Sequence, residues 1–124
     1  MIEVEVFGLV EVAGTFQLSG STPVRTTVLV DSGADTSLLD GTLAQALGIN
    51  LAQCPQVTST GVAGTAVFRE GLVLMNLCGR WVPIPASFSN GPLGHEQLLG
   101  RAGAFDALNL CFGHSQSQLL AAPS

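Results

Sequence analysis

Val28-Leu29-Val30-Asp31-Ser32-Gly33-Ala34-Asp35-Thr36-Ser37-Leu38-Leu39 is the stretch on which the reading of this chain turns. A β-branched run ends in an acid, a small hydroxyl residue and a glycine, and two leucines follow after a short polar interval. Residues 24–30 read as a strand, which delivers Asp31 to its own end. Gly33 lets the backbone turn back tightly behind that acid. A carboxylate held in this way is available for acid and base work. Asp-Ser-Gly is also ordinary turn chemistry, so the tripeptide alone decides nothing.

Strand signals continue on both sides. Residues 1–7 alternate, with Ile2, Val4 and Val6 on one face and Glu3 and Glu5 on the other. Residues 9–18 are a second extended candidate, weakened by Gly14, and Ser19-Gly20-Ser21-Thr22-Pro23 is a dense turn signal. Residues 57–85 read as strands around turns at Gly61-Val62-Ala63-Gly64, at Glu70-Gly71 and at Gly79. Helical signals are few. Residues 40–47 offer Asp40 as N-cap, Leu43 and Leu47 four apart and Gly48 as a stop, and residues 101–108 set Phe105 and Leu108 three apart. The pattern predicts an all-β single domain over 1–124 with one or two short helices, and a tail from His114 onward that is either frayed or a terminal strand.

Composition narrows the function classes. A chain of 124 residues is one domain by size, and folding buries about two-thirds of its unfolded surface. Nine acids face four arginines and no lysine, for a net charge of −5. A phosphate backbone is repelled by that balance, so no nucleic-acid partner is expected. Only 10% of residues are charged, against about 25% in a typical domain. The apolar surplus predicts a partner surface, most simply a second copy of the chain. The best apolar stretch, 71–85, is interrupted by Asn76 and Arg80 and falls short of the roughly 18 residues that a membrane span needs. No basic-then-apolar leader opens the chain. The expectation is a cytoplasmic protein without a membrane span, unless an export segment or tether once preceded it. Cys54, Cys78 and Cys111 form no CxxC pair and no ligand ladder with His95 and His114. They read as buried free thiols, with no metal and no cofactor expected.

Taken whole, residues 28–39 resemble the active-site loop of retropepsin-like aspartic proteases, whose signature is an apolar strand, Asp-Thr/Ser-Gly-Ala and a polar residue or two. A second element stands some sixty residues on. Leu98-Leu99-Gly100-Arg101 resembles that family's apolar-apolar-Gly motif with its following arginine. Phe105-Asp106 and residues 108–112 are similar to the helix and final core strand of bacterial-type members. The resemblance covers about residues 4–112 and leaves 114–124 outside it.

The resemblance implies a closed β-barrel or sandwich that is active as a symmetric homodimer on a peptide or protein substrate. It makes Asp31 the catalytic carboxylate and gives Ser32 a hydrogen bond across the dimer. Gly33, Ala34 and Asp35 would border the substrate main chain, with Arg101 paired to Asp35 or a neighbouring carboxylate and Leu99 and Gly100 supporting the loop. Gly61, Val62, Ala63 and Gly64, within 58–67, would form the flap over the substrate. One motif per chain supplies half a site, so two copies of Asp31 would share a proton and activate a water. Residues 2–6 and 118–121 are expected to pair as strands between copies. Where pepsin-like enzymes usually carry Ser or Thr after the glycine, Ala34 offers no hydroxyl, which predicts a pH optimum nearer neutral, in the mildly acidic range. The alternative is the same fold kept as a catalytically weak or inactive dimerisation or peptide-binding module.

Other features are weaker. Gly113-His114-Ser115 lacks the second glycine of a nucleophile elbow, and residues 61–65 lack the lysine of a phosphate loop. His95 reads as a solvated loop residue, Trp81 as a packed aromatic and Met75 as core.

Overall fold

The computed structural model describes residues 1–61 and 64–109, apart from the side chains of 59–61, 64–65 and 106. These residues form β1 (Ile2–Val12), β2 (Thr15–Leu18), β3 (Val24–Val30), β4 (Ser37–Leu39), β5 (Gln56–Gly61), β6 (Gly64–Leu77), β7 (Arg80–Ser89) and β8 (Leu98–Leu99). Two short helices, α1 (Gly41–Ala46) and α2 (Phe105–Leu108), and a 3-10 turn at Leu51–Gln53 complete the described architecture.

Turn chemistry sets the local pairing. Ala13 and Gly14 have φ of 51° and 82°, and Cys78 and Gly79 have 54° and 81°. Two consecutive left-handed residues make the tight turn whose twist matches a hairpin. Residues 9–18 are therefore two strands, β1 and β2, folded about Ala13-Gly14, with Leu9 opposite Leu18 and Val12 opposite Thr15. The expected turn at Glu70-Gly71 does not form, because β6 runs unbroken through it. A Cβ on Gly71 would stand 2.9 Å from the Phe88 ring, so the glycine makes room for an aromatic rather than for a bend.

The sheet closes on itself. β1 pairs with β3 and with β6; β3 pairs with β8, β8 with β4, β4 with β7, and β7 with β6. That circuit returns to its starting strand and closes a barrel, one of the two forms, barrel or sandwich, that the resemblance implies. Inside it lie Val4, Val6, Val28, Val73, Met75, Ile84, Phe88 and Leu99. Alternation explains the choice: Val4, Val6 and Gly8 of β1 point inward, while Glu3, Glu5 and Phe7 point out. Asp40 caps α1, its side chain accepting from the Thr42 N–H at 2.8 Å.

The structure bears on three further expectations. Ile2–Val6 pairs along one edge with Val24–Val28 of its own chain, and the expected pairing with a second copy falls to its other edge; residues 118–121 lie outside the described part. Trp81 stays 41% exposed, packing on Phe7 with ring centroids 5.3 Å apart. Cys54 is a free thiol, but Cys78 is disulfide-bonded. Sequence spacing does not reveal which thiols a fold brings together. Disulfides are uncommon in a reducing cytosol, and the reading of the cysteines as free thiols does not hold for Cys78. Among the described residues, no helix is long and apolar enough to cross a membrane.

Candidate active site

The central feature is the way β8 enters the barrel. It lies between β3 and β4, parallel to β3 through Leu29–Leu98 and Val30–Leu99 and antiparallel to β4 through Leu38–Leu98. The segment joining β3 to β4 therefore has to pass over the end of β8. That segment carries Asp31, Ser32, Gly33, Ala34 and Asp35.

Backbone hydrogen bonds hold it on both sides. The Asp31 N–H donates to the Leu99 carbonyl at 3.0 Å. Beyond the turn, the Arg101 N–H donates to the Ala34 carbonyl at 2.9 Å and the Ala102 N–H to the Asp35 carbonyl at 2.8 Å. The turn also braces itself: the Gly33 N–H donates to Asp31 Oδ1 at 2.9 Å, and the Ala34 N–H to the Asp31 carbonyl at 3.2 Å. Asp31 is half-buried while Ser32 and Gly33 are exposed. A carboxylate anchored by a backbone donor, on a loop fixed at both ends and open to solvent, can exchange protons with a bound water.

Support comes from below. Gly100 is buried and sits against the backbone of Thr36; an added Cβ would lie 2.3 Å from the Thr36 carbonyl oxygen. The Gly100 N–H donates to the hydroxyl of Ser37, a fully buried side chain, at 3.1 Å. The Arg101 guanidinium pairs with Asp35. Asp31, Gly33, Ala34, Asp35, Leu99 and Arg101 are thus tied together by hydrogen bonds, with Gly100 joined through Ser37 and Ser32 exposed in the turn. Gly61 and Gly64 belong to a separate hairpin, opposite one another at the end of the β5–β6 ladder. Val62 and Ala63 lie outside the described residues, as do Cys111, His114 and the tail.

Two contributors escaped the sequence reading. Ser37 looked like one more polar residue ahead of Leu38-Leu39, yet its hydroxyl is the acceptor for Gly100. Gln97 carried no motif at all, yet its side-chain amide bonds to both flanks of β8. A polar residue directly before an apolar-apolar-Gly run was the available signal.

Two groups have shifted titration. The Asp40 pKa is lowered, first by the Thr42 N–H, whose effect outweighs the opposing one of burial, and further by the Thr42 hydroxyl and the Leu93 N–H. Burial pushes the Cys54 thiol up, partly offset by the charge of Arg69. Among the described residues, no three His, Cys, Asp or Glu side chains gather in a way that could hold a metal ion.

A small closed barrel with an Asp-Ser-Gly-Ala loop passing over an inserted strand defines the class of acid-protease folds. The family model described as aspartyl protease matches residues 11–100, and the chain belongs to that family. Among solved structures it is similar to a retropepsin-like aspartic protease from Rickettsia conorii, with 18% identity and a TM-score of 0.54 over 81% of this chain and 73% of that one. It is also similar to EIAV protease in complex with the inhibitor HBY-793, with 24% identity and a TM-score of 0.46 over 74% of this chain and 79% of that one. Comparison with curated protein sequences finds no match.

Proposed function

We propose that the protein is an aspartic endopeptidase whose working form is a symmetric homodimer, with one Asp31 from each copy. The observation that carries this reading is the Asp31 loop itself: a solvent-facing carboxylate pinned by its own turn and by β8, in a chain with one such loop. Two carboxylates brought together across a two-fold axis cannot both ionise easily, so they share a proton. The ionised one takes a proton from water as that water attacks the peptide carbonyl; the protonated one donates to the carbonyl oxygen. Ser32 bonds across the dimer to hold the loops in register. The Gly33 carbonyl and Asp35 receive the main chain of an extended peptide, and the hairpin around 58–67 closes over it. Val30, next to Asp31 and 36% exposed, is apolar surface that such a dimer covers.

The test is a dilution series followed by mass and by cleavage of a mixed peptide library. Specific activity should fall as dimer gives way to monomer. Asp31→Asn should remove cleavage, by about a thousandfold or more, and leave the fold intact. A monomer with full activity per chain would refute the shared site. A stable dimer that binds peptides and cleaves none would favour the peptide-binding module instead.

A further inference from the structure

β8 has only two residues, and its rung to β4 is a single pair. So short a strand is a weak wedge to fix a loop whose geometry matters to a fraction of an ångström. At its N-terminal end the backbone ladder stops at Gln97, whose carbonyl accepts from the Leu29 N–H at 2.8 Å. The side chain then does what a further stretch of strand would do. Its Nε2 donates to the Thr27 carbonyl at 3.0 Å and to the Thr26 hydroxyl at 2.7 Å, both on β3. Its Oε1 accepts from the Asp40 N–H, just past β4, at 3.0 Å. One primary amide thus bridges the two strands that flank β8.

We propose that Gln97 is a positioning residue for Asp31, setting the spacing of β3 and β4 around β8 and so the position of the carboxylate at the end of β3. The proposal rests on the proteolytic reading of the site. The link is short: Gln97 carbonyl to Leu29 N–H and Leu99 carbonyl to Asp31 N–H are successive rungs of one parallel ladder. Tilting β8 at the first rung moves the second, which holds Asp31. The amide is also chemically specific. It gives a donor to one flank and an acceptor to the other, so a carboxylate of the same shape loses the β3 half and an apolar isostere loses both. Asp40 is itself tied to the Thr42 and Leu93 N–H groups, which makes the β4 flank a firm anchor.

The experiment compares Gln97→Glu, Gln97→Met and the milder Thr26→Val, which removes one of the two Nε2 acceptors. Cleavage kinetics and amide hydrogen exchange are measured in the dimeric protein, with unfolding by urea as the stability reference. A displaced reacting group costs rate rather than binding, so kcat should fall about tenfold to a hundredfold with KM within about twofold of wild type. Exchange at the Asp31 and Leu29 N–H groups should quicken beyond the change in global stability, while the Met75 N–H in β6 follows global stability alone. Thr26→Val should show the same pattern more weakly. Unchanged kcat and unchanged Asp31 exchange in variants that merely unfold sooner would overturn the proposal. If the wild-type protein cleaves nothing, the proteolytic reading fails separately, and Asp31 exchange alone decides whether Gln97 holds the loop.

Discussion

Replacing Gly100 by alanine tests the architecture of the site most directly. The residue is buried at the point where β8 runs beneath the loop, and its φ lies outside the left-handed region, so space rather than conformation demands glycine. The new Cβ would stand 2.3 Å from the Thr36 oxygen, 2.4 Å from its carbonyl carbon and 2.9 Å from its Cα. All three atoms are backbone, so no side chain can swing aside, and loop and strand have to separate. Overpacking of this kind costs about 1–3 kcal/mol. Stretching the 3.1 Å bond from Gly100 to the buried Ser37 hydroxyl adds about 1 kcal/mol. The sum, about 2–4 kcal/mol, is a large part of the stability of a domain this size. It corresponds to a fall in melting temperature of about 8–15 °C. Urea and thermal unfolding measure it, with Gly20→Ala as control. Nothing lies within 4 Å of a Cβ at Gly20, so that change should stay within about 0.5 kcal/mol of wild type. Gly100→Ala unfolding no more easily than Gly20→Ala would refute the close approach of β8 to Thr36.

Three further predictions follow from the same structure. The Arg101–Asp35 pair is exposed, with side chains 57% and 84% accessible, so Arg101→Ala should shift monomer unfolding by less than about 1 kcal/mol; in the proposed dimer it should raise the dissociation constant, read by sedimentation. Because the Asp40 carboxyl is held below its ordinary value in the fold, it contributes stability that is present above the unfolded value and is lost as pH falls through the folded one. Asp40→Ala should therefore flatten the acid limb of the stability profile and cost about 1 kcal/mol at neutral pH through the lost cap, measured by urea unfolding across pH. The proposed shared proton makes the pH–rate profile a bell with its optimum at roughly pH 4–6, and Ala34→Thr, which adds a hydroxyl beside the pair, should move the acidic limb downward; a flat profile from about pH 3 to 9 would exclude a proton-sharing pair.

What the sequence determined by itself was everything written in short-range pattern. Period-two alternation in Ile2–Val6 assigns the inward face of β1, since strand side chains alternate whatever the strand packs against. Asp40 announces the start of α1 because a cap acts on the next two or three residues. The β-branched run ending at Asp31 and the glycine two residues on fix a strand, an acid and a turn within ten positions.

The tertiary structure decided what depends on contacts across the chain. Gly14 and Gly71 look alike in sequence, yet one makes a hairpin turn and the other makes room for Phe88, which is 17 residues away from Gly71 in the chain. Ile2–Val6 was legible as a strand but not as the partner of β3, because alternation names a face and leaves the edge open. Leu98-Leu99 became a wedge between β3 and β4 through pairing with residues about 60 to 70 positions earlier. Ser37 and Gln97 acquire their roles only there, since a hydroxyl or an amide has no local signature for a partner that closure of the barrel alone brings within hydrogen-bonding distance.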